Sequence, residues 1–548
     1  MDSRARELVR IGDTLFAKKL PWDSLCQEIA ENFYPLRANF IASWSLGYDF
    51  ATGIMDSFPV LACRLLGDAP SAMLRQGDWF KVRTTNDEIN EDPTNARWLE
   101  YATKRFRNHI YDRRTNFLRA TNEADLDWVA FGNPILSVEE APSRDHFLFR
   151  AWHPKDCAWM ENGIGKIDHN QRKIKMTARG IMNRREWAKN AHPEIKQAYQ
   201  RDPGSEFNLR HIMLPMDEIY GDDKAKRRQY RDMPFVSLYV DADHQTILSE
   251  RGSPVFNYVI PRWRTLSDWP QGFSPASITS LPDGRMLQTL ARIMIEQGEK
   301  AVDPPLYGKG DIFRDGLNRY AGGFTTLDLE GDQDIREAMM FEDAKTGMGV
   351  GRDMQADVRN LISESFLLNK LMLPSERAMT AFETEQRVAE FRRAVLPFFG
   401  PIEHEYHLPL LDTAFQMAVR NDLFDIREMP EALSDAEVTF AFDSPLSSAD
   451  GRKAVQAYQE SIQILGAAVQ FDQSAVSILD LKQATHDAIK GTGALADWFN
   501  DDEVQASEEE QQRTIAGLQQ AAAMLQQGSM VAQDVAGASV ALKEAGLT

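Results

Sequence analysis

The sequence predicts a predominantly helical, mixed α+β chain divided into several domains, and three observations carry that expectation. At 548 residues the chain exceeds what one hydrophobic core supports, so about three or four packing units are expected. Apolar residues recur at three-four spacing through most of its length. Between about 135 and 263 that period gives way to short alternating segments bounded by turn residues, which read as strands.

In chain order, residues 1–34 read as two amphipathic helices, Leu8, Ile11 and Leu15 then Leu25, Ile29 and Phe33, divided at Leu20-Pro21 and stopped by Pro35. Residues 45–140 read mostly as helix, apolar on one side from Asp56 to Leu66, with WFKVRT at 79–84 extended and further helices near 95–112 and 115–131. Gly132-Asn133-Pro134 ends the last of these. ILSVEE, FLFRAW, KIKMTARGI, FVSLYVD, HQTILSE and NYVIPRW then predict a small mixed sheet, with the charged segment 183–232 as helix plus exposed loop.

Ser274-Pro275 offers an N-cap and a first-turn proline for a helix striped by Leu287, Leu290, Ile293 and Met294, closed by Val302-Asp303-Pro304-Pro305. Residues 306–331 are turn-rich and predict a compact insertion. Residues 353–368 return to helix, with Met354, Val358, Leu361, Ile362 and Phe366 at core spacing. After a short loop, Thr380 and Glu383 form a capping-box start, and Val388, Phe391, Val395 and Phe398 continue a helix. Pro397, Gly400 and Pro401 interrupt it before Leu408, Leu411, Phe415 and Ala418 resume the stripe, which predicts a long helix with a kink. EVTFAF at 437–442 reads as a strand. The last hundred residues read as Ala- and Gln-rich helix, with Ile515, Leu518, Ala522 and Leu525 as a narrow stripe ending at Gly528.

Composition narrows the function. Apolar residues make up 43% and charged residues 26%, the balance of a folded, soluble protein. No run long enough to span a membrane occurs, and MDSRARELVRIGD lacks the features of a signal peptide, so a cytoplasmic site of synthesis is expected. Cys26, Cys63 and Cys157 lie far apart without a CxxC pair, which suits buried free thiols in a reducing compartment. The net charge of −20, from 82 acids against 62 bases, opposes a surface that grips nucleic acid by neutralising phosphates.

No catalytic constellation emerges. GKGD at 308–311 and GMGVG at 347–351 lack the spacing of phosphate-binding loops and read as flexible turns. His404-Glu405-Tyr406-His407 places its histidines three apart rather than the four of a zinc-protease helix, and reads as polar residues beyond a kink. No GxSxG elbow occurs. Trp22, Trp44, Trp79, Trp98 and Trp128 fit core positions better than a binding platform. No cofactor, catalytic residue or metal site is expected.

Several stretches, in order, resemble the portal or head-to-tail connector proteins of tailed bacteriophages, most closely those of short-tailed phages. These are WDSLCQEIAENFYPLRANF (22–40), DSFPVLACRLLGDAPSAMLRQGDWFKV (56–82), DLDWVAFGNPILSVEE (125–140), PVFNYVIPRWRTLSDWPQGFSPASITSLPDGRMLQTL (254–290) and LNKLMLPSERAMTAFETEQRVAEF (368–391). The resemblance implies a closed ring, typically a dodecamer, at one capsid vertex, with double-stranded DNA passing non-specifically along its axis. It implies a wing at 1–273, stem helices at 274–302 and 345–368, and a clip at 303–344. A tunnel loop at 369–379, a kinked wing helix and return strand at 380–449 and a crown at 450–548 complete it. Partners implied are the terminase large subunit, a tail adaptor, and the major capsid and scaffolding proteins, with no membrane; the location implied is the virion, with host cytoplasm during assembly.

On that implication Lys370 and Arg377 are the candidates to touch DNA from the tunnel loop, and the kink at Pro397, Gly400 and Pro401 turns the helix outward across the ring. An acidic wall would let the polyanion slide where a basic one would hold it. Two alternatives stand beside this reading: a metal-dependent hydrolase using His404 and His407, and a virion or scaffold protein without a pore.

Overall fold

The computed structural model describes residues 2–42, 47–141, 145–221, 229–230, 233–303, 306–308, 339–341, 348–371, 402–434, 437–442 and 449–469, with short pieces at 479–480, 483–485 and 488–489. The chain divides into two compact units. The larger holds Met1–Trp79, Phe106–Leu423 and Ser444–Leu446; the smaller holds Phe80–Arg105, Phe424–Asp443 and Ser447–Thr548.

The larger unit opens with α1, Ser3–Phe33, a single helix in which Pro21 sits without breaking it. The expected division into two helices therefore fails. Proline removes one backbone donor and crowds the preceding turn, yet burial of Phe16, Trp22 and Cys26 on either side holds the helical course. Lys19 adds to this: its Nζ lies 2.8 Å from Asp23 Oδ1 and donates to the Pro154 carbonyl at 2.7 Å, with the Trp22 and Trp159 rings 5.3 and 5.7 Å away. A buried ammonium with that many partners is tolerated. Helix α1 ends at Phe33, and Pro35 opens a short 3-10 turn.

Helices α2 (Phe58–Met73) and α3 (Phe117–Phe131) pack on one another and on α1. Eight strands follow: β1 Ile135–Glu140, β2 Phe147–Trp152, β3 Cys157–Glu161, β4 Ile167–Thr177, β5 Glu206–Pro215, β6 Phe235–Asp241, β7 Thr246–Ser253 and β8 Tyr258–Val259. They form two sheets, β3-β4-β5-β6-β7 and β2-β1-β8, in which every pairing is antiparallel. The mixed sheet expected from the sequence is thus corrected on both counts, number and direction.

Strand β5 also lies inside the segment read as helix plus loop. Its polar residues hide its period: Arg210 and His211 are buried because Arg210 Nη1 donates to the Val9 carbonyl at 2.8 Å, and the His211 ring nitrogens contact Tyr258 Oη and, at 2.8 Å, Ser237 Oγ. One core joins α1 to this sheet through Ala5, Leu8 and Val9 against Ile212, Val236 and Leu238. A second core forms where the short helices Arg185–Asn190 and Pro193–Arg201 contribute Trp187 and Ile195 against Leu209 and Leu248. Successive side chains of a strand point to opposite faces, so β5 feeds both cores.

In the smaller unit Phe80–Thr84 pairs antiparallel with Val438–Phe442, which accounts for both WFKVRT and EVTFAF as strands. Thr103 Oγ1 accepts from the Val82 amide at 2.9 Å, and the Phe80 and Phe440 rings meet edge to face. Ala449–Val469 is helical. The stripe Ile515, Leu518, Ala522, Leu525 and its stop Gly528 lie outside the described residues, as does Trp44.

The three cysteines are free and buried, as expected. Trp22, Trp79 and Trp128 are core residues.

Candidate functional site

Two helices carry the segment that sequence reading singled out. Ser274 caps the first: its Oγ accepts from the Ser277 amide at 3.1 Å and donates to the Ala130 carbonyl at 2.7 Å. A π-helical turn, Ala276–Ser280, leads into α4, Leu281–Val302. The partner helix is α5, Met348–Ser365. Thr279 Oγ1 meets Ser365 Oγ at 2.5 Å at one end, and Gly351 faces Met294 further along, so the two run antiparallel.

Glycine sets both close approaches. A Cβ on Gly284 would stand 2.9 Å from the Phe33 ring of α1, and one on Gly351 would strike the Met294 sulfur. GMGVG is therefore helical from Met348 onward, correcting its reading as a flexible turn; Gly351 serves packing, while Gly349 faces open space.

The base of the pair is tied to the unit by polar contacts. Gln288 Oε1 accepts from the Met55 and Asp56 amides at 2.8 and 3.0 Å, and its Nε2 donates to the Asp56 carbonyl at 2.8 Å. From α5, Arg359 Nη2 reaches Asp56 Oδ2 at 2.8 Å, and Arg285 of α4 pairs with Glu28 of α1. Phe366 stacks on Phe33 with ring centroids 5.4 Å apart.

Burial divides the expected stripes. Leu287, Val358, Ile362 and Phe366 are buried, but Ile293, Met354 and Leu361 are exposed at 47%, 43% and 51%. The sequence periodicity is right and the assignment of every apolar residue to the chain's own core is not. Beyond α4, Leu306–Gly308 pairs antiparallel with Met339–Phe341, a ribbon that closes the base of the insertion between the two helices.

After α5, Leu367 takes a left-handed conformation, φ 59°, and a single helical turn follows at Leu368–Leu371. Lys370 falls on that turn. Arg377, Pro397, Gly400 and Pro401 lie outside the described residues. Helical structure is described again from Ile402, where a π-helical turn at Glu403–His407 precedes α6, Leu408–Arg420. Leu411, Phe415 and Ala418 are buried there, as their spacing predicts.

The π turn separates His404 and His407, the two candidate metal ligands of the alternative hydrolase reading. His404 is exposed, whereas His407 is fully buried 4.9 Å from the Trp79 ring, where burial and the neighbouring Arg75 charge hold it neutral, well below its usual range. Glu405 turns to Arg262 at 3.4 Å. His404 and His407 thus form no shared site, which removes the residues assigned to a metal-dependent hydrolase. Among the described residues the group whose donor atoms do converge is His192, Glu194 and His244, which no sequence pattern suggested because fifty residues of chain separate its halves.

Two of the segments that resemble connectors, 125–140 and 254–290, meet in space. Gly132, φ 85°, ends α3, and its carbonyl accepts from the Trp263 amide at 2.9 Å. Asn133 Oδ1 accepts from the Gly272 amide at 2.5 Å while its Nδ2 donates to the Pro261 carbonyl at 3.1 Å. This latch fixes the helix-to-sheet corner to the approach of α4.

Residues 6–499 match the family described as bacteriophage head to tail connecting protein. The chain belongs to that family. The connector is also similar to the portal protein of Salmonella phage epsilon15, 21% identical over 447 residues that cover 79% of this chain and 77% of the relative. A chain from a solved virion of a native gene transfer agent particle is similar at 10% identity, covering 77% of the connector and 91% of that chain, with a TM-score of 0.33. Family membership makes the connector a structural component of the phage head-to-tail junction, and the portal reading of the sequence stands. No helix among the described residues is long and apolar enough to cross a membrane.

Proposed function

We propose that copies of this connector close into a ring, typically twelve, around a channel for double-stranded DNA at one capsid vertex. In this reading α4 and α5 form the stem, and the insertion closed by the ribbon Leu306–Gly308 and Met339–Phe341 forms the clip. Residues 1–273 form the wing, 369–379 the tunnel loop, 380–449 the kinked wing helix and return strand, and 450–548 the crown. The clip meets the terminase large subunit during packaging and a tail adaptor afterwards, while the major capsid and scaffolding proteins surround the ring. The assembly forms in host cytoplasm and ends in the virion. The chemistry asked of the chain is passive: it holds DNA back and lets it pass without hydrolysing anything.

The observation that carries the ring is the apolar surface left on α4 and α5. Met286, Ile293, Ile295, Val302, Val350, Met354 and Leu361 are exposed between 40% and 88% on two helices whose other face is already buried. Such a surface supports a contact, and membership of the connector family favours a second copy of this chain as its occupant. The acidic balance of −20 favours passage of a polyanion over its retention on the wall.

Electron microscopy of the purified full chain tests this. Annular particles with an open axis are expected; a monomer at capsid-assembly concentrations, or a closed assembly with no channel, overturns the proposal.

A further inference from the structure

His192 is the N-cap of helix Pro193–Arg201, and Glu194 lies in that helix's first turn. His244 lies in the turn between β6 and β7, so the two halves of the cluster come from different elements. The His192 and His244 rings stack with centroids 4.2 Å apart at 15°. The Nδ1 of His244 stands 2.7 Å from Asp241 Oδ2, and its Nε2 stands 2.9 Å from Glu194 Oε2. Donor atoms of His192, Glu194 and His244 all lie within 4.8 Å of one another.

The carboxylate of Asp241 is fully buried, and its Oδ1 accepts from the amides of Asp243 at 3.1 Å and His244 at 3.3 Å. That carboxylate is therefore fixed, and it takes the Nδ1 proton of His244. The lone pair of a neutral ring is then left on Nε2, facing a carboxylate oxygen. Two lone-pair donors face each other at 2.9 Å only with a positive species between them, either a second ring proton or a cation. A third donor within reach, His192, is what a proton does not need and a metal does.

We propose that His192, Glu194 and His244 bind a divalent transition metal of the Zn²⁺ class, which staples helix Pro193–Arg201 to the β6–β7 turn. Two imidazoles and one carboxylate select Zn²⁺, Co²⁺ or Ni²⁺ over the all-oxygen preference of Mg²⁺ and Ca²⁺. Asp241 supplies the outer carboxylate that orients a metal-bound histidine and sharpens its basicity. Binding requires the His192 ring to turn out of the stack, and its polar hold there is a long 3.4 Å contact from the Glu194 amide to Nδ1. Three protein ligands leave one position for water. The role is structural, and it does not depend on whether the chain forms a ring.

Zn²⁺ titration of the full chain by calorimetry, followed by visible absorption of the Co²⁺ form, tests the site. The expected result is one ion per chain, absorption of a tetrahedral nitrogen-containing site, and a raised unfolding temperature with Zn²⁺ present. Glu194→Gln and His192→Ala, both outside the core, weaken binding by about tenfold or more, and Asp241→Asn by about 10–100-fold. Zn²⁺ binding left unchanged in the His192→Ala/His244→Ala double variant overturns the proposal. So does Mg²⁺ binding as tightly as Zn²⁺, or destabilisation by His244→Ala in a chain that takes up no metal, since that describes a salt bridge alone.

Discussion

Gly132 and Gly272 meet backbone to backbone: a Cβ on Gly132 would lie 2.7 Å from the Gly272 carbonyl group, and one on Gly272 would lie 2.5 Å from the Gly132 oxygen. Neither side chain has anywhere to go, because the obstruction is main chain on both sides. At Gly132 the positive φ adds a second cost for any other residue. Gly132→Ala and Gly272→Ala should each destabilise the chain by about 2–3 kcal/mol, the range of backbone strain and overpacking. Circular dichroism melting checks this. Gly298→Ala, at an open helical position, should change stability little or raise it.

Buried and exposed ion pairs should respond differently. Arg75 and Asp125 are both fully enclosed and make two hydrogen bonds, one of them 3.1 Å between Nη1 and Oδ1. Asp125→Asn leaves a buried guanidinium without its counter-charge and should cost about 3–5 kcal/mol. Asp68→Asn breaks an exposed i,i+4 pair with Arg64, 3.7 Å apart, and should cost about 0–1 kcal/mol. Denaturant melts of the two variants side by side make the comparison.

Acid should unfold the larger unit through three neutral histidines. Burial pushes His153 down to about 2, with Arg37 and Lys155 reinforcing the shift, and His211 and His407 are held well below their usual range by burial and by Arg172 and Arg75. Below about pH 6.5 the unfolded chain takes up these protons while the folded chain does not, so stability is full above that pH and falls as pH drops. Each histidine contributes a slope of about 1.4 kcal/mol per pH unit. Buried Asp127, raised to about 6, acts in the opposite sense, so the histidine contribution is read from the difference. Melting temperature should vary less steeply from pH 7 down to pH 4.5 in His153→Gln than in the parent chain, and an unchanged slope refutes the assignment.

The exposed stripe predicts a separation of folding from assembly. Met354→Asp or Leu361→Asp places a charge where a second copy would sit, while the residue's own chain already leaves it in solvent. The monomer should keep its melting temperature within about 0.5 kcal/mol equivalent, and light scattering should show loss of the large particle. Loss of the fold itself would return these residues to the core.

Charge reversal at Lys370 or Arg377 should leave ring assembly intact and change DNA packaging or retention, if those residues touch the passing duplex. Packaging assays on assembled particles measure it. Failure to assemble would place the two side chains in a subunit contact instead.

The sequence showed much of the helical layout, because amphipathic stripes and caps are local: Ser274-Pro275, the α3 stop at Gly132 and the α6 stripe all appear as read. It misled where tertiary contacts overrule a local rule. Pro21 stays helical because both neighbouring turns are buried, and β5 hides because its Arg210 and His211 are satisfied by partners 201 and 47 residues away. The helix pair was legible, but which apolar residues on it face inward depends on where α1 and α2 lie. His404 and His407 sat close in sequence and are divided by a π turn, while His192 and His244 are distant in sequence and stacked.

Cys26, Cys63 and Cys157 are all enclosed, and burial raises every thiol, those of Cys63 and Cys157 to about 12. Alkylating dyes attack thiolates, so the native chain should stay unmarked near neutral pH. A single cysteine introduced on the surface would then be the sole attachment point for a fluorophore or spin label. Neighbour-to-neighbour distances could be read directly from particles in solution, with no background from the natural thiols.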